Sequence, residues 1–434
     1  SHVALGVSDV IGFWADPDRG VWGLLRFAME MCLILVTGHA LASSPPMVRA
    51  IRFLARRPAS GAQAAGLVAL VAATLGLVNW GLGLIGGALI ARDVGRAMEQ
   101  RGVRVHYPVL AAAGYVGLMV WHGGFSGTAP LKMSNATDIA SVFKDVDFAV
   151  EPLALKETLL SPLNITISLG LLVIAVVVMA LLNPRHIESH PISTYLPLRD
   201  EREGESKAET EAKPRLPRLL EDTPIMSLLL CLMIGWWAWM FYVPQGPGDV
   251  TGLWTLSPSS VNLTMLMLGL LMHGTPLRYV RAVEDAARGC AGIILQFPLY
   301  AGIMGMMNQA HLTHELAAGI ASLSDVVPLP DHITLPVFTF LSAGVINLFI
   351  PSGGGQWAVQ GPVVMNAVAD NPALSPARMV MAVAYGDQLT NMLQPFWAVP
   401  LLAITGVKAR DIVGYTCLLM LIAAAWVILC LCLI

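Results

Sequence analysis

The sequence predicts an all-α polytopic membrane protein made of two inverted-topology repeats, each with a re-entrant hairpin and a broken helix. Three observations carry this prediction. The 434 residues are 56% hydrophobic and 13% charged, against about 25% charged in a soluble domain, and mean hydropathy is +0.66. Lys and Arg crowd into some connecting stretches and are missing from others. Finally, Pro351-Ser352-Gly353-Gly354-Gly355-Gln356 breaks an apolar region between two runs that read as too short to span a bilayer separately. Irregular backbone at membrane depth survives only where protein covers it or where it faces a cavity or ligand.

The elements follow in order. Residues 24–42 form a spanning helix, and 46–57, of mixed polarity, lie on the surface. Arg49, Arg52, Arg56 and Arg57 precede 64–91; Arg92, Arg96, Arg101 and Arg104 follow it. Basic loops stay cytoplasmic, so 64–91 must enter and return on that side as a hairpin. A broken helix, 108–131, is interrupted at Gly123-Gly124, and helix 159–182 closes the first repeat. Residues 183–224, with Pro184, Pro191, Pro197, Pro214 and Pro217 among mixed charges, read as a solvated cytoplasmic linker.

The second half starts with helices 225–243 and 261–275. Then come a spanning helix (289–308), a surface segment (311–324), a hairpin (333–369), a broken helix (377–405) interrupted at Gln394-Pro395, and a final helix (411–434). Residues 307–332 contain no Lys or Arg, so the second hairpin enters from the opposite face to the first. The domain organisation is therefore 1–182 and 225–434 as repeats, joined by 183–224.

Self-comparison supports the repeat. Gly76-Leu77-Val78-Asn79 echoes Gly344-Val345-Ile346-Asn347, and Gly86-Gly87 falls on Gly354-Gly355, at one offset of 268. Ala112 to Leu131 lies on Ala382 to Leu401, with Tyr115 on Tyr385 and Pro130-Leu131 on Pro400-Leu401; Phe27 falls on Phe297. Similar segments in opposite orientations are the signature of an inverted transporter repeat. The second half has two helices ahead of its aligned part where the first has few residues, so the chain reads as shortened at its N-terminus.

Several function classes are disfavoured. No basic stretch is dense enough for nucleic acid. Cys32, Cys231, Cys290, Cys417, Cys430 and Cys432 lie in or beside apolar helices without zinc-site spacing. His311 and His314 alone have a metal-like spacing, and no metal or resident cofactor is expected. The breaks hold no nucleophile–base–orienter set, so an enzyme such as an acyltransferase is disfavoured.

The four breaks supply the candidate site. The first hairpin brings Asn79, Trp80 and Gly81. The first broken helix brings Trp121, His122, Gly123, Gly124 and Ser126. The second hairpin brings Asn347, Ser352, Gly353, Gly354, Gly355 and Gln356, and the second broken helix Asn391 and Gln394. Half-helix N-termini favour an anion, and their C-terminal carbonyls favour a cation. No Lys or Arg lies in any break, which suits a small monocarboxylate held by dipoles and N–H groups. Trp80, Trp121, Phe125, Trp357, Phe396 and Trp397 are candidates for an apolar wall, or pack helices as membrane aromatics. Asp387, an intramembrane acid, is the candidate coupling group for H⁺ or Na⁺, with Gln388, Thr390, Asn391 and His122 beside it. Glu30 has Arg26 one turn away as an ion-pair partner.

The chain resembles the bacterial short-chain fatty acid transporter family. The motifs are Val36-Thr37-Gly38-His39-Ala40-Leu41-Ala42-Ser43-Ser44, Asn79-Trp80-Gly81, Gly123-Gly124-Phe125-Ser126-Gly127, Pro351-Ser352-Gly353-Gly354-Gly355, Tyr385-Gly386-Asp387-Gln388, Asn391-Met392 and Gln394-Pro395-Phe396-Trp397. The resemblance implies transport of short-chain acids such as acetoacetate or butyrate across the inner membrane. It also implies a homodimer in which a static scaffold holds a moving, elevator-type transport domain. Relatives often have glycine where this chain has His122, and a further N-terminal hydrophobic segment. The expected mechanism is secondary active transport in which substrate and cation neutralise each other. The alternative is a transporter of another small carboxylate anion, ahead of an anion channel, whose flux would be unsaturable.

Overall fold

The computed structural model describes residues 6–23, 25–143, 149–184, 190–196, 220–244, 258–310, 312, 315 and 330–434. Helices supply all the regular structure among these residues. Six of them are long and apolar enough to cross a bilayer: Gly61–Val78, Tyr107–Met133 with its internal breaks, Pro162–Leu182, Ile225–Tyr242, Asp331–Phe349 and Ala409–Leu433. The protein is therefore a multi-pass helical membrane protein.

The first hairpin consists of Gly61–Val78 and Trp80–Gln100, separated by Asn79 alone. Asn79 has an extended backbone, and its side-chain oxygen accepts the Leu82 N–H at 2.9 Å, capping the second arm. Gly76 lies against Gly83, and Ala72 against Gly87. These pairs are symmetric about the break, so the arms run antiparallel. The second hairpin consists of Asp331–Phe349 and Gly353–Asp370. Its arms are tied by Gln356 Nε2 donating to the Ala343 carbonyl at 2.8 Å and Gln360 Nε2 donating to Ser342 Oγ at 3.0 Å.

Two expectations about the hairpins need correction. The arms are not short: 18, 21, 19 and 18 residues give each roughly 27–32 Å. The first hairpin also reaches 61–100 rather than 64–91, because Arg92, Asp93, Arg96 and Glu99 continue the helix instead of ending it. Arg92 Nε stays 3.3 Å from Asp93, and Arg101 donates to the carbonyls of Arg56 and Pro58.

The internal matches also hold only in part. Gly76 crosses Gly117, and Gly344 packs on Thr390 and Gly386, so both glycines meet their own broken helix. Beyond that point the registers part. The helix ends at Val78, one residue before Asn79, but continues past Asn347 to Phe349. Ser352, not Asn347, takes the capping role that Asn79 has in the first hairpin. Likewise Gly86-Gly87 lies well inside an arm, whereas Gly354-Gly355 is in the first turn of one.

The first broken helix runs as Tyr107–Tyr115, two 3₁₀ turns at Val116–Met119 and Trp121–Gly123, and then Thr128–Met133. Its regularity fails earlier than Gly123 because Gly117 sits against Ala72 and Gly83 of the hairpin. The second runs as Pro376–Thr390, a 3₁₀ turn at Asn391–Leu393, and Pro395–Thr405. Pro395 suits a helix start, since its missing N–H is one the first turn leaves unpaired anyway.

Around these lie Leu25–Ala42, Pro45–Ala55, Pro162–Leu182, Ile225–Tyr242, Pro258–His273, Pro276–Ala287, Ala291–Gln309 and Ala409–Leu433. Leu25–Ala42 packs on the second arm of the first hairpin, where Gly38 lies against Gly81 and Leu82. Arg26 lies 3.4 Å from Glu30. A short helix absent from the sequence expectations, Val7–Ala15, leans on Ala291–Gln309, with the Trp14 ring over Gly302.

The linker is not uniformly solvated. Ile192 is buried, Tyr195 meets Tyr107 with ring centroids 5.8 Å apart, and Leu196 covers Gly406. The remaining charged residues of the linker and the expected surface segment 311–324, including His311 and His314, lie mostly outside the described residues.

The glycine crossings generate a stability prediction. A Cβ at Gly87 would lie 2.0 Å from the Gly114 carbonyl oxygen. We expect Gly87→Val to cost about 1–3 kcal/mol or more through overpacking against backbone, read as a lowered Tm in detergent. Gly414→Ala, with open space around it, should leave Tm unchanged or slightly raised.

Candidate functional site

Helix breaks from both hairpins and both broken helices meet around one pocket, where the space between atoms is about 320 Å³ when the part open to solvent is counted. It is lined by Trp80, Leu118, Trp121, Phe297, Ser352, Gly353, Asn391 and Trp397.

The second hairpin supplies a helix N-terminus. Ser352 Oγ accepts the Gly355 N–H at 3.1 Å, and the Ser352 carbonyl accepts from Gln356 at 2.7 Å. The Gly353 and Gly354 N–H groups stay outside the intrahelical ladder. Gly353 is pressed onto the first broken helix: a Cβ there would lie 2.8 Å from the Trp121 ring and 2.9 Å from the His122 ring. Here glycine is required by close approach.

The first hairpin tip is held from two sides. Ser126 Oγ accepts the Trp80 N–H at 3.0 Å, and the Leu77 carbonyl accepts from Phe125 at 2.8 Å. Gly81 lies against Ile34 and Leu35 of Leu25–Ala42, and Gly124 against the Leu77 carbonyl. Trp80 meets Trp397 edge-on, with centroids 5.3 Å apart. Trp121 stacks on His122 at 4.4 Å.

His122 and Asp387 join the two broken helices. Nδ1 of His122 lies 2.5 Å from Asp387 Oδ2, and both side chains are sealed from solvent, at 0% and 1% exposure. His122 Nε2 accepts the Ala129 N–H at 2.9 Å. With Nε2 occupied as an acceptor, Nδ1 carries the ring proton and donates it to Asp387. Asp387 Oδ1 has no hydrogen-bond partner among the described residues. Next to it, Gln388 Oε1 accepts from the N–H groups of His122 and Gly123, both at 3.1 Å.

Asn347 ties hairpin to broken helix. Its Nδ2 is within 2.8 Å of the Asp387 carbonyl and of Thr390 Oγ1, and 3.1 Å from Asn391 Oδ1. Gln394 Nε2 donates back to the Asn347 carbonyl at 2.7 Å. Thr390 Oγ1 also reaches the Gly386 carbonyl, at 3.1 Å.

Thus Trp80, Trp121, Ser352, Gly353 and Asn391 line the pocket. His122, Gly123, Gly124, Ser126, Asn347, Gly354, Gly355, Asp387, Gln388, Thr390 and Gln394 form the shell that holds the breaks together. Asn79 and Gly81 serve the first hairpin's cap and its packing. Gln356 bridges the hairpin arms and does not line the pocket. Two aromatic candidates lie elsewhere: Phe125 is 41% exposed, and Trp357 is buried in a separate apolar cluster against Phe143. The Phe396 side chain lies outside the described residues.

Sequence reasoning missed Asn164, Thr416, Leu118 and Phe297. Asn164 Nδ2 donates to the Gly123 carbonyl at 2.8 Å and its Oδ1 accepts from Tyr385 at 3.1 Å. Thr416 donates to the Met392 carbonyl at 2.7 Å. Tyr115 donates to the Asn391 and Gln394 carbonyls, at 2.9 and 3.0 Å. An Asn and a Thr inside apolar helices were the available signals. Phe297 was noted only as a repeat match.

Helices that break around a buried pocket inside a many-span bundle are the arrangement found in membrane solute transporters. The model of the short chain fatty acid transporter family matches residues 4–434, and the chain belongs to that family. It is 37% identical to an Escherichia coli (strain K12) protein named "Putative short-chain fatty acid transporter", over 94% of this chain and 86% of that one. A Haemophilus influenzae protein of the same name is 32% identical over 96% and 88%. Both relatives are named for transport of short-chain fatty acids. Among solved structures, the YdaH transporter of Alcanivorax borkumensis superposes with a TM-score of 0.51 at 16% identity, covering all of this chain and 89% of that one. That likeness is one of fold.

Tyr115 offers a test of the shell. Tyr115→Phe leaves two buried carbonyls of the second break without their donor. We expect a loss of about 1–3 kcal/mol, seen as a lower Tm. Tyr195→Phe, at the half-buried edge of the linker, should change Tm little.

Proposed function

We propose that the protein is a secondary active transporter of short-chain fatty acids, small monocarboxylates such as butyrate or acetoacetate, in the bacterial inner membrane. One observation carries the reading. The pocket combines a helix N-terminus at Ser352-Gly353 with the indole N–H groups of Trp80 and Trp121, which are buried without a partner among the described residues, and no Lys or Arg lines it. Donors around one pocket without a fixed positive charge suit a single carboxylate. A di- or tricarboxylate would bring more negative charge than these groups offset.

Transport is coupled to H⁺ or Na⁺ at Asp387. Its side chain is buried beside His122 and has an open Oδ1. A buried carboxylate facing a substrate anion raises the electrostatic cost of crossing, and a cation joining Asp387 offsets it.

The movement we propose is of the elevator type. The hairpins 61–100 and 331–370 with the broken helices 107–133 and 376–405 form the transport domain. Leu25–Ala42, Ile225–Tyr242, Pro258–His273 and most of Ala291–Gln309 form the scaffold. Both hairpins are re-entrant and belong to inverted repeats, 1–182 and 225–434. The crossings at Gly76 and Gly344 and the tyrosine pair Tyr115 and Tyr385 support the repeat; the basic residues at both ends of the first hairpin support its two ends lying on one side of the membrane. Ile225–Tyr242 leaves Leu232, Met233 and Trp236 exposed, an apolar face for lipid or for the second copy of a homodimer.

Proteoliposome uptake of labelled butyrate tests this. We expect saturable uptake that accumulates substrate only under an imposed H⁺ or Na⁺ gradient. Uptake indifferent to both gradients would rule out coupling, and no uptake of any monocarboxylate would rule out the substrate. Asp387→Asn should retain exchange at equilibrium but lose gradient-driven accumulation. Ser352→Ala, which removes the cap and a pocket hydroxyl, should raise KM for butyrate.

A further inference from the structure

The pocket is not walled by hairpins and broken helices alone. Phe297 enters it from Ala291–Gln309, outside all four breaks. It is also a fully buried lining residue, at 0% exposure, with Leu118 at 2%, whereas Trp397 is only half-buried. The polar liners, Ser352, Gly353, Asn391 and the Trp121 indole, provide the groups that meet a carboxylate. The apolar liners, Leu118, Phe297 and Trp397, leave the tail no polar partner. A ligand whose head meets the donors leaves its tail to the apolar part of the lining, Leu118, Trp397 and Phe297.

We propose that Phe297 is the stop that ends the acyl-tail channel and sets the upper limit on substrate chain length. This rests on the monocarboxylate reading above. The physical argument is one of volume. The interior is close-packed, and an added methylene has to displace its neighbours or stay out. Phe297 sits in the large apolar cluster with Ala28 and Cys32 of Leu25–Ala42, so its ring is backed by protein and cannot yield cheaply. Truncating it opens room where two further methylenes gain burial, each favouring binding by about fourfold. Enlarging it shortens the channel. Phe297 acts on specificity by contact with the tail and leaves the carboxylate contacts untouched.

The test is a chain-length series, acetate, butyrate, hexanoate and octanoate, against the full-length protein. Binding is read by ligand-dependent thermal shift in detergent and by competition with labelled butyrate uptake in proteoliposomes. For Phe297→Ala we expect the affinity for hexanoate relative to butyrate to rise about fifteenfold. Phe297→Leu should fall between, and Phe297→Trp should shift the preference toward acetate. A folded Phe297→Ala whose hexanoate-to-butyrate ratio matches the wild type would overturn the assignment. If Phe297→Ala does not fold, the Leu and Trp variants decide: opposite shifts in preference support the stop, and parallel or absent shifts refute it. If no acid in the series stabilises the wild type, the monocarboxylate reading itself fails. A wild-type response with a flat variant series sinks only the role of Phe297.

Discussion

Every helix break within a membrane protein frees backbone N–H and C=O groups that lipid cannot satisfy, and this structure is organised around meeting them. Each break is served by groups from another element. Tyr115 of the first broken helix covers the carbonyls at Asn391 and Gln394 of the second. Gln388 of the second broken helix accepts the N–H groups of His122 and Gly123 of the first. Asn164 and Thr416, each on the helix that follows a broken helix, donate to the carbonyls of Gly123 and Met392. The two halves therefore stabilise each other's irregular backbone, and neither half's breaks are satisfied within that half alone.

That reciprocity explains the glycines. Backbone can be served at this distance only if helices approach closely. Gly76 on Gly117, Gly87 on Gly114 and Gly386 on Phe340 bring backbones to where a Cβ would collide. Close crossing and polar bonding act together here, as they do between membrane helices generally. Among the described residues, the buried polar atoms without a partner include the indole N–H groups of Trp80 and Trp121 at the pocket and Oδ1 of Asp387 near it; others, such as the Tyr107 hydroxyl, Ser227 Oγ and the Trp357 indole, lie elsewhere. The unpaired groups beside the pocket are open to a ligand that arrives from outside, which is the physical basis for proposing this place as the binding site.

Much of this was legible along the chain. The helix breaks announced themselves as Gly and Pro within apolar runs, and the repeat matches located Tyr115 and Tyr385 as counterparts. Positions within the site were less legible. Asn79 and Asn347 look equivalent in sequence, but Asn79 caps a helix at the break while Asn347 sits inside one and binds the neighbouring broken helix. Phe125 and Trp357 look like pocket walls, yet one faces outward and the other packs on Phe143. A residue's distance from a break along the chain does not say which way its side chain turns.

By itself, the sequence determined the membrane class, the breaks and the family, because these depend on composition, local punctuation and motif order. The tertiary structure alone decided the partnerships: His122 with Asp387 across 265 positions, Gly353 against Trp121, and Phe297 in a pocket it does not border in sequence. Those contacts depend on the register with which separate helices cross. Register is fixed by packing of glycine against backbone over the whole bundle, so no local stretch of residues encodes it.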